Sequence, residues 1–235
     1  MPRRNRVDPW GDLHAAPGRG LFTGNRGCLV DVNGGVVRHH TSALWIVCVT
    51  EFRGRRHPLA EPGRWTPLFF LDDAVALAAG HRPCGECRRS AYRSYRQAVT
   101  LAEGSPRPVL AFELDRRLVA ERHRRGRGLT RAGDRQLWTR NIDQLPLGSV
   151  ILGPEAAPHL VLEDRLMAFT FDGWSAPIDR PAHGAVQVLT PPTSVAALQH
   201  GYGPVLHPSV KGHAPDRRPD SPASPARPPE PEAAR

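Results

Sequence analysis

A chain of 235 residues, 40% of them hydrophobic, is long enough to bury the core of one large domain or two small ones. No stretch reaches the roughly 18 apolar residues of a membrane span, and the basic N-terminus has no apolar run behind it, which argues against a secretory signal. The chain therefore reads as cytoplasmic, with no membrane partner, and its formal net charge of +9 makes a polyanion the expected partner.

Residues 1–20 are polar and turn-rich. Residues 27–32 and 36–38, joined through Asn33-Gly34-Gly35, predict a β-hairpin. The aromatic and β-branched run 42–51 (SALWIVCVTE) predicts a third strand with Cys48 near its end, 53–64 a basic loop holding His57, and 68–71 a fourth strand. Asp72 is a good helix N-cap, and a short helix over 73–79 should end at Gly80, which tolerates the left-handed turn. A tight knuckle over 81–89 leads into a second helix to about residue 102, with Tyr92, Tyr95, Val99 and Ala102 at helical spacing. Gly104-Ser105-Pro106 marks a break and a domain boundary.

Beyond the break, 109–114 reads as a strand or a helix start, 116–123 as helix, and 124–135 as a glycine- and arginine-rich loop. From Ser149 the pattern turns to β (SVILG, HLVLED, RLMAFTF, AVQVLT), followed by a short capped helix over 193–198. The proline-rich end, APDRRPDSPASPARPPEPEAAR, has almost nothing to bury and is expected to be disordered.

The strongest local motif is Pro83-Cys84-Gly85-Glu86-Cys87. Two thiolates in a CxxC reach one ion because the turn between them aims both sulfurs inward, with Gly85 permitting that turn. Redox pairs share the spacing, but there the motif opens a helix directly after a strand, whereas here a short glycine-ended helix precedes it.

Residues 68–89, LFFLDDAVALAAGHRPCGECRR, resemble the metal-binding domain of the Ada DNA-repair regulators, in which a strand leads to an EALAAG helix and an RPCxxC knuckle. The matching residues are 75–80 (VALAAG), then Arg82, Pro83, Cys84 and Cys87, and the likeness extends over about residues 45–89. The resemblance implies zinc held by four thiolates, two of them from an upstream strand end, and so makes Cys48 in Trp45-Ile46-Val47-Cys48 the third ligand. The family's second upstream cysteine has no counterpart close to Cys48. Cys28 would close a four-cysteine site with Cys48, Cys84 and Cys87, and is the favoured fourth ligand because a neighbouring strand would bring it beside Cys48. His57, 27 residues before Cys84, is the alternative. In the family one zinc-bound thiolate accepts a methyl group from DNA phosphotriesters, a role the resemblance would map to Cys48. The family's regulator and methyltransferase portions have no counterpart here, so a structural zinc is the expectation.

Of the 32 basic residues only Lys211 is lysine, and an arginine-, alanine-, glycine- and proline-rich composition also follows from a GC-rich coding sequence. Clustering therefore carries the argument. Seven arginines lie among the sixteen residues 116–131, Arg53, Arg55, Arg56 and His57 form a second cluster, and Arg82, Arg88 and Arg89 flank the knuckle. Arg82, Arg88, Arg89, Arg122, Arg124, Arg125 and Arg127 are the expected phosphate contacts of a nucleic-acid partner, DNA in the first instance.

The second half has no metal-protease, phosphate-loop or nucleophile-elbow motif. His200, Tyr202 and His207 are the residues that would line a site there. The expected fold is α+β: a small zinc-knuckle sheet-and-helix module (1–104), a second, mainly β module (105–210) and a disordered tail (211–235). The expected function is zinc-dependent nucleic-acid binding in repair or regulation. An enzyme acting on nucleic acid and a zinc-stabilised protein-interaction module are the rivals.

Overall fold

A computed structural model describes residues 3–18, 20–33, 35–54, 63–122 and 134–212. The proline-rich end and the arginine-rich stretch 123–133 lie outside the described residues. The fold is α+β, with two six-stranded sheets and helices between and beside them. No helix of the described residues is long and apolar enough to cross a membrane.

The first sheet comprises β1 (Arg4–Val7), β2 (Leu13–Ala15), β3 (Phe22–Asn25), β4 (Ile46–Val49), β5 (Leu68–Phe70) and β6 (Arg82–Pro83), in the order β2-β1-β5-β3-β4-β6. Two pairings in it are parallel, β1 with β5 and β4 with β6, and the rest are antiparallel. The polar N-terminal residues thus form two strands where turns are expected. Inward residues Asn5, Val7 and Leu13 carry that burial, too few and too mixed to register as an apolar run. The expected hairpin over 27–38 is reduced to a single bridge, Val30 to Val36. Its turn does form: Asp31 Oδ1 accepts from the amides of Asn33 and Gly35, each at 2.9 Å. The ladder does not propagate, because Leu29 N donates instead to Thr66 Oγ1 and Leu29 O takes the amides of Val37 and Arg38.

Helix α1 (Asp73–Ala78) begins under the Asp72 cap, whose Oδ1 accepts from Val75 N at 3.0 Å, and Gly80 follows it at φ +85°. All six residues of α1 are buried, which its small side chains allow. Helix α2 (Arg89–Ala102) buries Tyr95, Ala98 and Val99. Helix α3 (Ala111–Glu121) is one continuous helix across the stretch that reads as strand or helix from sequence.

The second sheet is wholly antiparallel and comprises β7 (Trp138–Asn141), β8 (Val150–Leu152), β9 (Pro158–Val161), β10 (Arg165–Thr170), β11 (Gly173–Asp179) and β12 (Ala185–Val188), in the order β11-β10-β9-β8-β12-β7. Neither edge strand, β7 nor β11, is apparent in the apolar pattern: β7 alternates half-buried with exposed, and β11 carries Pro177, which an edge tolerates. Helix α4 (Pro192–Gln199) and a final turn, α5 (Ser209–Gly212), complete the described chain.

The expected boundary near residue 104 is a turn between α2 and α3, and the halves on either side share one core. Val7, Leu13, Phe22, Leu68 and Phe70 of the first sheet and Ala74, Val75, Ala76 and Ala78 of α1 pack in one cluster with Val150, Leu160, Met167, Trp174 and Leu189 of the second half. Helix α2 packs on α4, where Tyr95 Oη and Ser194 Oγ are hydrogen-bonded at 2.9 Å.

Candidate metal centre

Strand β4 delivers Cys48 one residue before its end, and β6 runs parallel beside it, with Ile46 opposite Arg82 and Val47 opposite Pro83. Cys84 N donates to Val47 O at 2.9 Å, which fixes where the knuckle leaves the sheet. The knuckle then turns: Glu86 N donates to Cys84 Sγ at 3.4 Å and Arg88 N to Cys84 O at 3.2 Å, and the chain enters α2. The sulfurs of Cys48, Cys84 and Cys87 consequently all lie within 4.8 Å of one another. Cys48 and Cys84 are buried and Cys87 is half-buried.

Three thiols this close compete for protons. Hydrogen bonds from Cys48 and then Cys87 hold the Cys84 thiol far below its usual range, and the same bonds to Cys84 and Cys87, together with burial, push Cys48 far above it. A divalent metal would let all three ionise, which is the demand a thiolate site makes of its ligands.

Cys28 does not join them. Cys48 pairs with Thr23 across the β3–β4 ladder, and antiparallel pairing carries the chain away from that point, so Cys28 lies five residues past Cys48's cross-strand neighbour. Its sulfur is 3.8 Å from Val30 O. The neighbouring strand does reach Cys48, but it brings Thr23 there. Among the described residues the sulfur trio is the one group of three or more candidate ligands this close together, and His57 lies outside the described residues.

The arginines expected to contact phosphate divide sharply. Arg82 is buried, with Nε and Nη2 donating to the two carboxylate oxygens of Asp115 at 2.8 and 2.9 Å. Arg88 is buried in the same way on Asp73, at 2.5 and 2.8 Å, with its guanidinium 3.9 Å from the centre of the Phe22 ring. Arg122 is buried too, donating to Gly80 O at 2.8 Å and Ala43 O at 2.6 Å. Arg122 also stacks 3.9 Å from the Trp45 ring, which Arg26 meets at 4.1 Å. Burial, and next the charge of Arg135, pushes the Arg122 guanidinium down to about 9. These three hold the fold together and offer nothing to a phosphate. Their partners are 33, 15 and 42 residues away in sequence, so proximity to the knuckle misrepresents Arg82 and Arg88, and membership of the arginine cluster misrepresents Arg122. Arg89 is exposed, and Arg124, Arg125 and Arg127 lie outside the described residues, as do Arg55 and Arg56.

His200, Tyr202 and His207 do not converge. His200 caps the end of α4 in solvent, while buried Tyr202 donates its hydroxyl to Asp73 Oδ2 at 3.3 Å. His207 gives its backbone amide to Asp72 Oδ2 at 3.0 Å and turns its ring to Ser209. Tyr202 and His207 anchor the C-terminal segment on α1 and its cap, a role no local motif signals, and His200 takes no part in it. No protein-family model, no curated protein and no solved structure matches the chain.

Proposed function

We propose that this is a zinc-binding protein that meets nucleic acid, with Cys48, Cys84 and Cys87 holding a structural metal. The observation that carries the reading is the three-sulfur cluster, assembled from a strand end and a knuckle that the backbone fixes to each other. Thiolate-rich sets select soft or borderline cations, and zinc is the ordinary occupant of such structural sites. The resemblance of residues 68–89 to the Ada-type domain supports the same metal. A zinc there would tie the end of β4 to the knuckle that leads into α2. The fourth position falls to His57 or to water, not to Cys28. The nucleic-acid partner is supported by the net charge of +9 and by the exposed arginine beside the knuckle.

Elemental analysis of the purified chain tests the metal. About one zinc per chain is expected in the wild type and in Cys28→Ser, with loss in Cys84→Ser and Cys87→Ser. His57→Ala then names or dismisses the fourth protein ligand. A wild type that purifies without zinc under reducing conditions, and refuses it on titration, would sink the proposal.

A further inference from the structure

Helix α2 carries an unbalanced row of charge. Its sequence, RSAYRSYRQAVTLA, holds three arginines and no carboxylate. Arg89 and Arg93 are exposed and Arg96 half-exposed, at i, i+4 and i+7, so all three share one face. Ser90, Ser94 and Gln97 stand exposed beside them, while the opposite face, Tyr95, Ala98 and Val99, is buried. The contrast with neighbouring arginines is direct. Arg107 pairs with Glu113, Arg117 with Glu103 and Arg82 with Asp115, whereas Arg89 and Arg93 make no ion pair among the described residues.

Cations in the first turns of a helix work against its macrodipole, which favours negative charge at that end. Arg89 opens the helix and Arg93 stands one turn on, with no acid in the first turn to offset either. An arrangement that is unfavourable in the free protein becomes favourable when an anion lies along it. The strip is also held rigidly. Tyr92 stacks under Arg96 at 5.8 Å and under Arg82 at 5.2 Å, and the buried face is locked on α4 through Tyr95 and Ser194.

Resting on the nucleic-acid reading above, we propose that Arg89, Arg93 and Arg96 form the strip of this protein that lies along the phosphate backbone of duplex DNA. At 1.5 Å per residue the row rises about 10 Å from Arg89 to Arg96, close to three nucleotides of one strand at about 3.4 Å each. The flanking serine hydroxyls and the glutamine amide supply the neutral donors that phosphate oxygens take alongside arginine. A straight helix with fixed spacing suits a regular duplex better than a flexible single strand. Because the helix begins two residues after Cys87, the metal would hold the strip's leading end in place.

The test is fluorescence anisotropy of a labelled duplex of about 20 base pairs across a salt series, using the full-length, zinc-loaded chain. Three proteins are compared: the wild type, the triple variant Arg89→Gln/Arg93→Gln/Arg96→Gln, and a control triple, Arg3→Gln/Arg38→Gln/Arg140→Gln, with the same change in charge off α2. The α2 triple should weaken binding at least tenfold, alike for unrelated sequences, and flatten the slope of log K against log salt by about 3, while the control shifts it by less than half as much. Arg93→Gln alone, a full turn from the knuckle, should flatten it by about 1. If the wild type binds no nucleic acid, the reading under Proposed function falls and takes this one with it. If the wild type binds but both triples lose equally, or the α2 triple loses nothing, the strip alone is wrong. Tighter binding to single-stranded RNA than to the duplex would overturn the assignment to DNA.

Discussion

Asp72 and Asp73, adjacent in sequence and both buried, do different work. Asp73 neutralises Arg88 and takes Tyr202 and Val205 N besides, so its charge is fully met. Asp72 accepts from Val75 N, from the Trp174 indole at 2.7 Å and from His207 N, with no cation beside it. Burial pushes its carboxyl up to about 6 in spite of those three donors. The folded protein therefore holds the Asp72 proton more tightly than the unfolded chain, whose value is near 3.8. That contribution is complete below about pH 4 and is lost as pH rises through about 6. Urea unfolding of the wild type and Asp72→Asn between pH 4 and 7 should show the wild type losing on the order of 3 kcal/mol relative to the variant over that window. A constant difference would refute it. From sequence Asp72 is legible as a cap, because a cap is a local device. Its contacts with Trp174 and His207 span 102 and 135 residues and leave no local trace.

Among the elements, those with strong local signals are readable in advance: β5, α1 with its terminal glycine, α2, and α4. The edge strands β2, β7 and β11, and β1 beside β2, are not, because partners rather than apolar periodicity define them. The two cysteines of the knuckle are readable from their spacing and Cys48 only through a resemblance. Cys28 misleads because the register of β3 against β4 is a tertiary fact. Gly80 shows both kinds of information at once. Its φ of +85° follows from the end of α1, but the side chain of Arg122 closes on it from a distant helix end, so that an added Cβ would meet Arg122 Cδ at 2.6 Å. Gly80→Ala should therefore cost more than the roughly 1 kcal/mol of the left-handed backbone alone, about 2–3 kcal/mol in all, read from the urea midpoint. A loss under 1 kcal/mol would mean that Arg122 gives way freely.

At the scale of the whole molecule, the break at Gly104 reads as a boundary because Gly, Ser and Pro stop any helix, yet stopping a helix is not the same as ending a core. Leu77 of α1 and Tyr95 of α2 share a cluster with Ala197, Leu198 and Tyr202, and α1 lies in another with strands of both sheets. Calorimetry of the purified chain should accordingly give a single transition with equal calorimetric and van't Hoff enthalpies. Two separated transitions would instead restore two independent modules.

The ties from residues 202–207 back to Asp72 and Asp73 set an order on biosynthesis. As the chain leaves the ribosome N-terminus first, Cys48, Cys84 and Cys87 are all exposed to solvent more than a hundred residues before Tyr202 and His207 emerge. Until residues 138–188 are made Asp72 lacks two of its three donors and α1 lacks the second sheet that covers it, and the last donor, His207 N, comes later still. The nascent chain thus carries its three thiols long before it can close its interior, and on the zinc reading proposed above a metal taken up at that stage would hold the first half in register while the remainder is still being made.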